Sequence, residues 1–160
     1  MAKRYRLPLT LAALIVGLDQ CTKMAVESHL PLNHGIPVIK GFFNLVRVHN
    51  RGAAFGFLNR PDITWQFWIF SGFALFALIL VLLMLRWTRH PGLTAKIAFG
   101  AILGGALGNF IDRLRLRYVI DFLDFHLGQW HWPAFNVADI AICTGVLLFA
   151  LITLFPRRWN

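Results

Sequence analysis

Two carboxylic acids, Asp121 and Asp139, stand out because of their apolar surroundings. Asp121 lies within the apolar residues 119–123, and Asp139 follows Asn136 by three residues among otherwise apolar neighbours. A carboxyl in such surroundings is shifted toward its neutral form. When a second carboxyl lies close, the two can share one proton, so that one activates a water molecule while the other polarises a carbonyl.

The chain between the two acids permits such a pair without requiring it. Residues 112–132 form a connection short enough to fold Asp121 back over the start of the segment that holds Asp139. Residues 118–122 are rich in β-formers, so we predict an extended stretch in which Arg117 is not at helical spacing from Asp121. Paired acids at this separation are also common by chance, so a structural role stays open.

Other polar residues in apolar segments have a structural interpretation. Asp19 and Lys23 are four residues apart, so they share a helix face and can neutralise each other. Asn109, Asp112 and Arg113 form a cluster at the end of another apolar segment, where they can satisfy one another and support a site. Ionisable residues within a membrane are nevertheless candidates for a functional site.

The composition indicates a membrane protein. Of the 160 residues, 58% are hydrophobic and 14% are charged, whereas an average soluble domain has about 25% charged residues. Disorder is excluded on the same ground. The net charge of +9 would suggest nucleic acid for a soluble protein, but the cations around Arg47 and Arg51 are too few, so we expect no nucleic-acid partner.

Four apolar segments are predicted to be membrane-spanning helices: residues 7–26, 63–85, 93–111 and 132–155. In the third segment Gly100, Gly104 and Gly108 recur at every fourth position, the spacing that lets membrane helices approach closely. The first segment follows basic residues, as a secretory signal peptide does. It has no small-residue cleavage site, so an uncleaved helix is favoured.

An even number of spans places both termini on the same side of the membrane. The two sides carry equal numbers of basic residues, but those on the terminal side lie in shorter stretches, which favours cytoplasmic termini. Residues 36–58 then form a small β region on the outer side, with a strand at 42–49, a turn at 50–52 and a returning strand at 53–57. Such a hairpin can pair with an extended peptide or cover the helix ends.

Thiol and metal chemistry are weaker interpretations. Cys21 and Cys143 lie within spans, where free cysteine behaves as a small apolar residue, and no histidine lies at matching depth to activate a thiol. A metal site lacks both an H-E-x-x-H motif and a cysteine pair. Its candidate ligands would be His126, His131, Asp121 and Asp124.

Five motifs in order along the chain resemble those of the bacterial lipoprotein signal peptidases, also called signal peptidase II. The motifs are L-D-Q at 18–20 with Lys23, N-R-G-A-A-F at 50–55, G-G-A-L-G-N at 104–109 followed by D-R at 112–113, V-I-D-F at 119–122, and F-N-V-A-D at 135–139. This resemblance covers nearly the whole chain.

The resemblance implies an all-α integral membrane protein, in which four transmembrane helices carry a small extracytoplasmic β-cradle and residues 1–160 form one domain. It implies an intramembrane aspartic endopeptidase with Asp121 and Asp139 as its catalytic pair and with no metal or organic cofactor. The substrate would be a prolipoprotein whose cysteine carries diacylglycerol, cut just before that cysteine. The residues that would surround the site or position the substrate are Asp19, Lys23, Asn50, Gly52, Asn109, Asp112, Arg113, Asn136 and Ala138.

The resemblance also implies a location in the bacterial cytoplasmic (inner) membrane, with the active site toward the outer side, and we expect a monomer in contact with membrane lipid. From the residues alone, two other functions stay open. The buried acids and the repeated N-x-x-D at 109–112 and 136–139 suggest a small ion-coupled transporter, which four spans without inverted halves disfavour. The other alternative is a non-catalytic membrane scaffold.

Overall fold

The computed structural model describes residues 3–52, 65–88 and 91–155, which form four long helices and a small antiparallel sheet. The helices are α1 (Lys3–His29), α2 (Trp65–Trp87), α3 (Leu93–Leu116) and α4 (Val137–Leu154). The strands are β1 (Gly35–Ile39), β2 (Phe43–Asn50), β3 (Val119–Leu127) and β4 (Trp130–His131).

All four helices are long and apolar enough to cross a membrane, so the predicted four-helix membrane fold is confirmed. Several helix ends differ from the prediction. α1 extends from Lys3 to His29 rather than over residues 7–26, and α2 ends at Trp87 rather than at residue 85. The largest differences are in the other two helices. α3 continues beyond residue 111 to Leu116, and α4 begins at Val137 rather than at residue 132. α4 begins late because the Asn136 side chain accepts a hydrogen bond from the Asp139 N–H and caps the helix there.

α3 is the central helix, and its glycines set how closely α1 and α4 approach it. A Cβ atom on Gly104 would lie 2.8 Å from the Ile15 Cβ of α1. A Cβ on Gly108 would lie 2.6 Å from Asp19 Oδ2, within the same helix pair. On the other side, Gly105 lies against the Ala138 backbone of α4. The small-residue stripe therefore brings polar groups of three helices within hydrogen-bonding distance.

The strands form one antiparallel sheet in the order β1-β2-β3-β4. The strand predicted at residues 42–49 is present as β2, which pairs with β1 and β3. The predicted returning strand at residues 53–57 lies outside the described residues. The extended stretch predicted at residues 118–122 is present as the start of β3. Arg117, in a left-handed conformation with φ of 68°, ends α3 and turns the chain into β3.

β3 contains a bulge beside Asp121. The N–H groups of Phe122 and Leu123 both donate to the Phe135 carbonyl, at 3.0 and 2.8 Å. Both side chains also pack with the apolar cluster around Val26. Because two successive residues face the same side, the alternation along the strand is shifted by one residue beyond the bulge.

Arg47 joins the end of α1 to β2. Its guanidinium donates to the carbonyls of Glu27 and Leu30 at 3.0 and 3.2 Å, and to Glu27 Oε1 at 3.0 Å. These bonds satisfy carbonyls that the helix end leaves without an intrahelical partner. Arg47 therefore fixes the position of β2 relative to α1.

Replacing Arg47 by alanine is expected to lower the free energy of unfolding by about 1.5–3 kcal/mol, because two helix-end carbonyls and a carboxylate lose a charged donor. Glu27→Gln removes only the ion pair, which is partly exposed, and is expected to cost less than about 1 kcal/mol. Thermal unfolding of the detergent-solubilised protein measures both. Equal losses in the two variants would contradict the capping role.

Candidate active site

Asp121 and Asp139, the two acids singled out in the sequence, are brought together by Asn136. Asp121 is the third residue of β3 and is 2% exposed, whereas Asp139 lies in the first turn of α4. Asn136 Nδ2 donates to Asp121 Oδ1 at 2.7 Å. The Asp139 N–H donates to Asn136 Oδ1 at 3.0 Å, and the Asn136 N–H donates to Asp139 Oδ2 at 3.2 Å. One asparagine thus contacts both acids.

Each carboxyl also receives a hydrogen bond from a second side-chain amide. Asn50, the last residue of β2, donates from Nδ2 to Asp121 Oδ2 at 2.9 Å. Asn109 of α3 donates from Nδ2 to Asp139 Oδ1 at 2.8 Å. These contacts limit the rotation of both carboxyl groups, so their orientation is set by β2, α3 and the cap of α4.

A buried charge cluster of Asp19, Lys23 and Asp112 is connected to the pair through Asn109. Lys23 Nζ is 2.9 Å from Asp19 Oδ2 and 2.7 Å from Asp112 Oδ2, and all three side chains are at most 3% exposed. Lys23 Nζ also donates to Asn109 Oδ1 at 2.9 Å. Because Asn109 in turn donates to Asp139, the cluster fixes which way this amide points.

The Asp19 and Asp112 carboxylates of this charge cluster also accept hydrogen bonds from the backbone of α4 and β3. Asp19 Oδ1 accepts the Ala138 N–H at 3.0 Å, and Asp112 Oδ2 accepts the Ile120 N–H at 3.3 Å. The Asp19–Lys23 pairing matches the sequence-based interpretation. The sequence analysis grouped Asp112 with the neighbouring Arg113. In the structure Asp112 forms its ion pair with Lys23 of α1.

Arg113 holds the chain that follows β2. Its guanidinium donates to the Asn109 carbonyl at 3.3 Å and to the Gly52 carbonyl at 3.2 Å. The Gly52 N–H donates to Asn50 Oδ1 at 2.9 Å, which turns the amide nitrogen of Asn50 toward Asp121. Arg113 and Gly52 thus act on Asp121 through Asn50.

The environment of Asp121 favours its protonated form. Burial, and after it the negative charge of Asp139, raises the pKa of the Asp121 carboxyl to about 7. The hydrogen bonds from Asn50 and Asn136 and the charge of Lys23 act in the opposite direction on this pKa. Near neutral pH the two acids can therefore hold a single proton between them.

Each of the two aspartates lines a groove. One has a volume of about 360 Å³ and follows α4, where Asp139, Ile140, Ile142 and Cys143 line it. The other has a volume of about 350 Å³ and lies on the sheet. It is lined by Val46, Val48, Asn50, Asp121, Asp124, His131, Trp132, Pro133 and Ala134. Trp132 lines both grooves.

The remaining candidates do not assemble into a separate site. Within the described ranges, no three His, Cys, Asp or Glu side chains are grouped as they would be around a metal ion. Cys21 and Cys143 are exposed, free thiols. His131 and Asp124, two of the four candidate metal ligands named from the sequence, contact each other between β4 and β3.

Gln20 also belongs to the charge cluster. The sequence analysis placed it within a motif but gave it no role. Its Nε2 donates to Asp112 Oδ1 at 2.8 Å and to Asp19 Oδ2 at 3.2 Å. A polar amide next to Asp19 within an apolar helix was the signal that could have identified it. Gln20 thus adds a hydrogen-bond donor to the charge cluster.

The chain is similar over nearly its whole length to known proteins. Residues 11–155 match the family described as "Signal peptidase (SPase) II". The chain is 50% identical to the lipoprotein signal peptidase of Nitratidesulfovibrio vulgaris (strain DP4) over 164 aligned positions, covering 100% of this chain and 98% of that protein. It is 52% identical to the lipoprotein signal peptidase of Oleidesulfovibrio alaskensis (strain ATCC BAA-1058 / DSM 17464 / G20), covering 94% of this chain and 96% of that protein.

Two solved structures share the fold. Both are described as bacterial membrane enzymes obtained by the in meso method, one at 2.3 Å and the other at 1.9 Å. The first superposes with a TM-score of 0.80 at 30% identity, covering 93% of this chain and 87% of that one. The second also gives 0.80, at 28% identity, and covers 92% of each chain.

Proposed function

The chain belongs to the signal peptidase II family, and we propose that Asp121 and Asp139 are the catalytic pair of this aspartic peptidase. The protein removes signal peptides from lipoprotein precursors. The observation that carries the assignment of the pair is the bridging of both acids by Asn136. Membership of a peptidase family leaves no reason to retain the transporter or the scaffold.

The pair works with one shared proton. One carboxylate takes a proton from water as the water oxygen attacks the scissile carbonyl, while the other, protonated acid gives its proton to the carbonyl oxygen. The tetrahedral intermediate then collapses. The first acid protonates the leaving amine as the C–N bond breaks, and the second regains a proton from a hydroxyl of the intermediate. The raised pKa of Asp121 favours this residue as the initial donor.

The neighbouring amides keep the two acids in place during these steps. Asn50 and Asn109 each hold one oxygen of one acid, and Asn136 holds the other oxygen of both, so the orientation of the two carboxyl groups is fixed. Holding reacting groups in a productive geometry lowers the entropic part of the barrier. Lys23 acts through Asn109 and is a positioning residue.

The substrate is a precursor whose cysteine already carries diacylglycerol, and the bond that is cut directly precedes that cysteine. A substrate tethered by lipid presents this bond near the membrane surface. Asp139 lies in the first turn of α4 and Asp121 near the start of β3, where membrane helices meet the sheet. This position supports an active site at the outer surface of the bacterial inner membrane, with both termini in the cytoplasm.

One chain supplies every residue of the site, and the protein functions as a monomer.

Cleavage of a defined substrate tests the function. The purified protein in detergent is incubated with a diacylglyceryl-modified precursor and with the same precursor lacking lipid, in the presence of a chelator. We expect cleavage of the modified precursor only, with mass spectrometry placing the cut before the lipidated cysteine. Failure on several modified precursors, or inhibition by the chelator, would overturn this proposal.

The pH dependence of cleavage follows from the raised pKa of Asp121. If this acid must be protonated, kcat/KM is expected to fall as the pH rises through about 7. Asn50 stabilises the ionised form, so Asn50→Ala is expected to move this decline to higher pH. Initial rates measured from pH 5 to pH 9 give both curves. A decline that stays at the same pH in the variant would contradict the assignment.

A further inference from the structure

A second polar pair, formed by Asp124 and His131, lies along β3 from the catalytic acids. Asp124 is 7% exposed, and its carboxylate accepts hydrogen bonds from Asn44 Nδ2 and His131 Nδ1, both at 2.8 Å. His131 is half exposed. The cleavage steps described above use neither residue, so this pair has no role in the chemistry of bond breaking.

The Asp124–His131 pair shares the sheet groove with Asp121. In a regular strand, residues 121 and 124 would point to opposite faces. The bulge at Phe122 and Leu123 removes this alternation, and both acids line the groove of about 350 Å³. The groove thus runs from a catalytic acid at one end to a buried acid at the other.

Resting on the proposed function, we infer that this groove binds the segment of the precursor that directly follows the cysteine and that Asp124 favours positive charge there.

Three parts of a lipidated precursor meet at the cleavage site. The signal peptide and the acyl chains are apolar and stay in the membrane, where the groove along α4 offers Ile140, Ile142 and Cys143. The third part is the chain that leaves the membrane. The sheet groove can bind it because the residues that line this groove lie outside the spanning helices.

The distance between the two acids indicates which substrate residue meets Asp124. Three residues of strand span about 10 Å, and an extended substrate covers the same distance in three residues. Counting from the bond that is cut, the cysteine is the first of these residues. The second residue after the cysteine therefore reaches Asp124.

Asp124 is the acidic residue at this end of the groove, and its side-chain partners are Asn44 and His131. Asn44 contributes a neutral donor, so it does not compensate the Asp124 carboxylate. A lysine or arginine of the substrate would complete the pairing of this acid, whereas a glutamate would be repelled. Asp124 is thus assigned as a specificity determinant.

Competition between precursors tests this inference. Three diacylglyceryl-modified precursors carry lysine, glutamine or glutamate as the second residue after the cysteine and are otherwise identical. The wild-type protein is expected to cleave the lysine form with a kcat/KM about fivefold above that of the glutamate form. Asp124→Asn is expected to reduce this ratio to near unity, and His131→Lys, which places a fixed cation beside the carboxylate, is expected to do the same.

The matched control is Glu27→Gln, which removes one negative charge from a partly exposed acid at the end of α1, away from both grooves. Its lysine-to-glutamate ratio is expected to equal that of the wild type. A ratio that persists in both Asp124→Asn and His131→Lys, or that collapses equally in Glu27→Gln, overturns the inference while leaving the peptidase assignment intact. A wild-type protein that cleaves none of the three precursors overturns the proposed function itself.

Discussion

Asp121→Asn and Asp139→Asn are each expected to lower kcat for precursor cleavage by about 10²- to 10⁴-fold. Asparagine keeps the shape of the side chain and one oxygen that can accept a hydrogen bond, but it can neither take a proton from water nor return one. Because both acids act in one proton cycle, the double variant is expected to be little slower than either single variant.

Single-turnover cleavage measures the chemical step in these variants, and thermal unfolding in detergent shows whether each remains folded. The double variant provides the sharper test, since independent structural acids would give losses that multiply. Glu27→Gln removes a carboxylate from α1 and is expected to retain wild-type kcat. If either single variant kept more than about a tenth of the wild-type rate, Asp121 and Asp139 would not be the catalytic pair.

Local sequence patterns were sufficient to predict some of these features. The apolar segments gave the four helices, because length and lack of charge decide whether a helix can span a membrane. The four-residue spacing of Asp19 and Lys23 gave their pairing, which depends only on the geometry of one helix. β-formers at residues 118–122 predicted the extended start of β3.

The features that sequence could not provide depend on contacts between distant segments. Arg113 is next to Asp112 in the sequence, yet Lys23, which is far away along the chain, lies on the face of α1 that meets Asp112. The close approach that permits this contact comes from the glycines of α3. Similarly, the spacing of Asp121 and Asp124 predicts opposite faces of a strand, and only the bulge against Phe135 puts both acids in one groove.

Lys23→Met is expected to lower the free energy of unfolding by about 3–5 kcal/mol, because it leaves two buried carboxylates without their cation. Asp19 and Asp112 are both within 3 Å of the Lys23 ammonium and have almost no exposure to solvent. Asn109 would also lose a donor and could turn its amide away from Asp139, so kcat is expected to fall as well. Thermal unfolding and cleavage rates measure the two effects.

The triple variant Lys23→Met/Asp19→Asn/Asp112→Asn separates the stability effect from the positioning effect. It removes the two uncompensated charges together with the cation, and buried ion clusters replaced as a whole often keep their stability. The triple variant is therefore expected to regain much of the lost stability without regaining kcat, since Asn109 still lacks the Lys23 contact. Lys40→Met, which removes an exposed lysine, is the control and should leave both quantities unchanged. Equal unfolding temperatures for Lys23→Met and Lys40→Met would show that the cluster does not stabilise the helices.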